Sequence, residues 1–155
     1  MDGFTATLVG GRELRRQLDK LDGAFRGKAL LGAVVAGAFP ILNRAKENVH
    51  KVSGTLGRSL HIGGHPELSP GFRSDEGYSD IGGLSSSADH AEVVIGTNVV
   101  YGRREELGFM GTDRLGRRYN FAGHPYLRPA FDEKRAEAER EMADALRAIL
   151  ARVVR

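Results

Sequence analysis

The chain has 155 residues, 28% of them charged, a net charge of +3 and no cysteine. A single domain of that size buries roughly 70% of its unfolded surface without covalent staples, and the missing thiols exclude disulfides, thiol nucleophiles and thiolate metal sites. The charge is uneven: segments 1–64, 65–100, 101–128 and 129–155 carry +5, −5, +3 and 0, which suits mating between copies better than gripping a duplex with one basic face.

The opening MDGFTATLVGGRE lacks the basic-then-apolar order of an export signal, so cytosolic synthesis without export is expected. Leu14, Leu18, Leu21 and Phe25 recur at helical spacing and predict a short amphipathic first helix, limited by Gly23 and Gly27. A second helix is predicted from about Lys28 to Val49, with Leu30, Val34, Ile41 and Ala45 on one face. Gly32, Ala33 and Gly37 let a neighbour approach, and Pro40, which crowds the carbonyl of Ala36, predicts a kink. The uncharged stretch Ala29 to Asn43 has 15 residues, short of the ~20 that a membrane span needs, so a buried helix and no membrane partner are expected.

After a turn at Ser53-Gly54, LGRSLHI predicts a strand beginning near Arg58. Residues 63–89 hold six glycines, six serines and two prolines, which predicts a long flexible loop. Its widely spaced Leu68, Phe72, Tyr78, Ile81 and Leu84 fit either a solvated insertion or an arm that orders on a partner. Ala91 to Ile95 reads as a strand with Ala91, Val93 and Ile95 on its buried side, and Thr97-Asn98 turns into a strand through Val99 to Tyr101. Residues 109–123, FMGTDRLGRRYNFAG, predict a hairpin with Asp113 to Gly116 as its tip. Pro129 is expected at the first position of a long last helix with acidic Asp132 and Glu133 early and Arg147, Arg152 and Arg155 late. Phe131, Ala138, Met142, Ala145, Ile149 and Val153 form its stripe. The expected fold is one α+β domain over 1–155: a small antiparallel sheet with two N-terminal helices and one long C-terminal helix packed on it, plus two extended loops.

No phosphate-cradling loop, nucleophile elbow or dinucleotide fingerprint is present. His61 and His65 have a ligand-like spacing, but HIGGH is a strand end and two glycines rather than a helix that aims both rings one way. Two exposed loop histidines are expected there. Glu105 and Glu106 point apart as neighbours and have arginines within reach, which suits ionised carboxylates rather than an acid/base pair. No catalytic residue, no metal and no cofactor is therefore expected. Arg114, Arg117 and Arg118, with Tyr119 and Phe121 beside them, fit a nucleic-acid-binding module that stacks on bases, or equally a protein partner.

Three short motifs, in order, carry a resemblance. Ser53-Gly54-Thr55-Leu56 with Ser59-Leu60 follows the second helix, Tyr101-Gly102 with Glu106-Leu107-Gly108 follows the strand pair, and Pro125-Tyr126-Leu127-Arg128-Pro129-Ala130-Phe131 opens the last helix. Together, over about Leu14 to Leu150, the chain resembles a family of tailed-bacteriophage morphogenesis proteins named for the tenth gene product of a lambda-like coliphage. Its members are described as tail-completion, head-to-tail joining or neck proteins. Ser53 stands where the family often has Thr, Phe109 where Thr is common, and the 63–89 insertion is long. The resemblance implies a non-enzymatic α+β subunit of a homo-oligomeric ring, a hexamer, placed in the virion at the portal-proximal tail end after assembly in the host cytoplasm. It implies adjoining neck or tail proteins as partners, with DNA passing through the channel without sequence-specific binding. Tyr101, Gly102, Glu106 and Gly108 are then expected as a structural joint, with Tyr101 ending a strand and Gly108 stopping a short helical turn. Leu68, Phe72, Tyr78, Arg114, Arg117 and Arg118 are expected at subunit or partner contacts.

Overall fold

The computed structural model describes residues 12–50, 54–68 and 80–153, which form an α+β fold. Two long helices make its spine: α2, Gly23–Asn48, and α5, Leu127–Val153. They run antiparallel, since Gly32 meets Ile149, Gly37 meets Met142, and Arg44 pairs with Glu133. A Cβ on Gly37 would lie 2.8 Å from the Ala138 carbonyl oxygen, so only glycine allows this approach. The buried face of α2 is accordingly its small residues, Gly27, Ala29, Ala33, Gly37, Ala38 and Ala45 with Ile41 and Leu42. Leu30 and Val34, expected to lead that face, are only half-buried.

The helix α2 begins five residues before the sequence expectation because the Asp22 carboxylate accepts from the Ala24 N–H at 3.1 Å and caps it. Phe25 therefore belongs to α2, and the first helix, α1, is only Arg12–Asp19. Leu14, Leu18 and Leu21 pack against Ala29, Ala33, Leu146 and Leu150 in a smaller cluster at one end of the spine. Pro40 lies within α2, which continues to Asn48. Among the described residues, α2 is the one helix long and apolar enough to cross a membrane by length and composition, but α5 packs on its glycine and alanine face. Pro129 is the third residue of α5, not the first. Ala130, Ala138, Leu146 and Leu150 are its buried residues, Phe131, Met142, Ala145 and Ile149 are partly covered, and Val153 is exposed.

The strand expected from Arg58 starts later. Gly54, at φ 74°, leads into a short helix α3, Thr55–Ser59, and β1 is His61–Ile62. Among the described residues the sheet is divided into three antiparallel pairs: β1 with β4 (Ile95–Gly96), β2 (Leu84–Ser86) with β3 (Ala91–Val93), and β5 (Phe109–Thr112) with β6 (Arg118–Phe121). Val99 to Tyr101 is not a strand; it turns into α4, Gly102–Leu107, leaving Val100 exposed.

The first two pairs share one line of chain. Residues 91–96 pair with 84–86 at one end and with 61–62 at the other, and Val94 joins the two. Its N–H donates to the Gly83 carbonyl at 3.1 Å, and its carbonyl accepts from the Gly63 N–H at 2.8 Å. The N–H and C=O of one strand residue point to the same side. Gly63 and Gly83 thus occupy one rung, and β1 and β2 are two halves of a single strand interrupted in sequence by residues 64–82, the arm.

Candidate functional site

The joint is built by α4 folding back on the start of α5. The Glu106 carboxylate accepts three backbone N–H groups at the α5 N-terminus: Tyr126 at 2.7 Å, Leu127 at 2.9 Å and Arg128 at 3.0 Å. These are donors that a helix leaves without internal partners, and the helix dipole favours a negative group there. Of the two kinds of partner expected for Glu105 or Glu106, arginines or backbone N–H groups, Glu106 takes the backbone groups, while Arg104 lies over the Phe109 ring at 4.6 Å. Gly108 ends α4 at φ 76°, and a Cβ there would fall 2.6 Å from the Phe121 carbonyl oxygen. Both the backbone angle and the space require glycine.

Gly102 is buried, and its Cβ would lie 2.6 Å from the Thr97 methyl. Tyr101 does not end a strand with its ring over the sheet: it is exposed at the N-terminal boundary of α4. The buried ring is Tyr126, whose hydroxyl donates to the Gly102 carbonyl at 3.1 Å. Burial, reinforced by the nearby Glu106 and Glu105 carboxylates, holds that hydroxyl well above its ordinary pKa, so it stays protonated as a donor.

The neck of the arm is the second feature. The two Asp80 carboxylate oxygens accept from the Gly64 N–H at 2.9 and 3.0 Å, and Oδ1 also accepts from the Gly82 N–H at 3.1 Å. A Cβ on Gly63 would meet the Gly82 carbonyl, so the two sides of the neck also approach backbone to backbone. Contrary to expectation, His61 is fully buried rather than an exposed loop histidine. The Ile81 N–H donates to its Nε2 at 3.0 Å, which assigns the proton to Nδ1, and Nδ1–H donates to the Ser59 carbonyl at 2.8 Å. Both ring nitrogens are thereby engaged by protein, leaving neither for a metal. His65 lies partly exposed with Glu67 at 2.9 Å. Leu68 ends a single 3-10 turn and is exposed; Phe72 and Tyr78 lie outside the described residues.

Backbone N–H groups, Gly64 foremost, hold the Asp80 carboxyl below its ordinary value. A depressed folded-state pKa contributes stability above the unfolded value of about 3.9 and loses it as pH falls through the folded value. Hydrogen-exchange protection of the Gly64 and Gly82 amides should therefore hold above about pH 4 and drop below it. Protection that ignores pH across this window would show that Asp80 does not close the neck.

The hairpin is the third feature. Phe109, Gly111, Tyr119 and Phe121 share one face by register, with the Phe109 and Tyr119 ring centroids 6.4 Å apart. Met110, Thr112, Arg118 and Asn120 form the other. Asp113 fixes the tip: Oδ1 accepts from the Leu115 and Arg117 N–H groups, both at 2.9 Å, and Oδ2 accepts from Arg117 Nε at 2.7 Å and the Tyr119 hydroxyl at 3.1 Å. Arg117 is thus committed within the turn, whereas Arg114 and Arg118 are exposed on it.

Joint and hairpin are adjacent, since Gly108 opens β5 directly, while the arm leaves from a different sheet pair. Sequence reasoning passed over Asp80, placed His61 in an exposed loop and gave Tyr126 no role beyond its motif. The Asp-x-Gly pattern at Asp80 was the available signal, because aspartate commonly bonds the backbone two residues on. A polar groove beside Pro40 is lined by Arg44, paired with Glu47 and Glu133, and by Lys134, paired with Glu137. Comparison with protein-family models, curated proteins and solved structures found no match to this chain.

Proposed function

We propose that the chain is a structural subunit of a tailed-phage virion, closing with copies of itself into a ring, six in number, at the head–tail junction or portal-proximal tail end. It works by assembly and catalyses nothing. One observation carries the reading: apart from Val100, the most exposed large apolar side chains among the described residues lie on and beside the hairpin, with Met110 at 78%, Leu115 at 77% and Leu107 at 61% exposure. Projecting apolar groups beside charge suit an interface. The motif resemblance supports the same reading, and the acidic segment 65–100 set against the basic segment 101–128 supplies the complementarity that guides encounter. Leu68, Phe72 and Tyr78 on the arm are assigned as apolar anchors onto a neighbour or an adjoining neck or tail protein.

The rival reading, a nucleic-acid-binding module, draws on exposed Arg114 and Arg118. Against it, Arg118 lies on the hairpin face opposite Tyr119 and Phe121, so base stacking and phosphate contact would not fall together. Sedimentation of the untagged protein separates the two. A closed oligomer that dissociates as salt rises, with little DNA affinity in the isolated subunit, is expected. A persistent monomer whose DNA affinity falls steeply with salt, and is lost when Arg114, Arg117 and Arg118 are changed to alanine, would favour the rival.

A further inference from the structure

The outward face of the β2–β3 pair is chemically the counterpart of the hairpin. Leu84 and Val93 face each other across one rung, as do Ser86 and Ala91, on the side turned to α2; the Gly27 position approaches Ser86 there. The opposite side pairs Ser85 with Glu92, followed by Val94, whose side chain lies over Gly83. Val94 is 41% exposed and the Glu92 side chain 62%. Small residues opposite them leave a surface with one apolar and one acidic group, the latter 3.6 Å from the exposed His90 ring.

The hairpin presents the reverse set. Leu115 projects from a tip that Asp113 has already ordered, so docking it costs little conformational entropy. Met110 and Arg118 share its outer face, with Arg114 at the turn.

We propose that the hairpin tip of one copy docks on the outward β2–β3 face of the next, with Leu115 on Val94 and Arg114 and Arg118 toward Glu92. The occupant is a second copy because the same chain carries both halves of the charge match. The two surfaces differ, so the contact is head-to-tail, the class that closes rings when the rotation allows. This inference rests on the ring reading and names the surfaces that would make it.

The absence of native cysteine makes the test direct. Two full-length single-cysteine variants, Leu115→Cys and Val94→Cys, are mixed under mild oxidation, and each is also oxidised alone. The mixture should give a mixed disulfide at least about tenfold faster than either variant self-couples, and Arg114→Glu with Arg118→Glu should remove that excess. Adding Glu92→Arg to the partner copy should restore it. An oligomer by sedimentation with no preference for the mixed disulfide would overturn the assignment of surfaces and leave the ring reading standing. A monomer at every concentration would overturn both.

Discussion

Glu106→Ala is expected to lower stability by about 3 kcal/mol, because one substitution removes the acceptor for three N–H groups at the head of α5. Two of those donors are partly buried, so water replaces the carboxylate poorly. For a domain of this size the loss corresponds to a fall in Tm of roughly 6–12 °C. Glu106→Gln keeps an amide oxygen but gives up the charge and the second acceptor, and should fall between. Glu105→Ala serves as the control: among the described residues its carboxylate bonds the exposed His124 ring, at 3.4 Å, and surface contacts of that kind contribute little. Thermal unfolding of the three variants decides the matter. An unchanged midpoint in Glu106→Ala would remove the joint from the list of elements holding the fold.

Excision of residues 64–83, joining Gly63 directly to Leu84, is expected to leave the fold intact and abolish assembly. In the native chain Gly63 and Gly83 each supply one bond to Val94; in the excised chain Gly63 supplies both. Side-chain alternation is kept, since Ile62 and Leu84 then stand two residues apart and both belong on the α2 side. The cost lies at His61, whose Nε2 loses the Ile81 N–H that donates to it, about 1–2 kcal/mol. Circular dichroism and sedimentation read the two consequences separately. An unfolded product would show that the two half-strands are not one ladder, and a normally assembled product would remove the arm from assembly.

What was legible in the sequence is what local chemistry determines. The hairpin tip at Asp113 to Gly116 follows from turn residues, and Asp113 alone makes four bonds there. The alternation at Ala91, Val93 and Ile95 appears as alternating burial, and the α5 stripe follows helical period, although its start moved from Pro129 to Leu127 because the cap comes from Glu106, twenty-one residues before Leu127. Features set by distant partners were not legible. The arm is a jump in strand register at Val94, and pairing partners far apart in sequence leave no local pattern. His61 meets Asp80 and Ile81, nineteen and twenty residues further on. Of Tyr101 and Tyr126, each beside a motif glycine or proline, the buried one is chosen by how α4 meets α5. In LGRSLHI the apolar spacing suggested a strand, but Gly54 at positive φ and the Ser59 hydroxyl bond to the Leu56 carbonyl at 2.8 Å turn the first half into helix.

The most direct test of the assembly reading is imaging of the untagged protein by electron microscopy at low salt. Closed rings of uniform copy number with a central opening are expected, and they should disappear in high salt and in the Arg114→Glu, Arg118→Glu variant. Monomers under every condition, or particles that form only on added DNA, would contradict it.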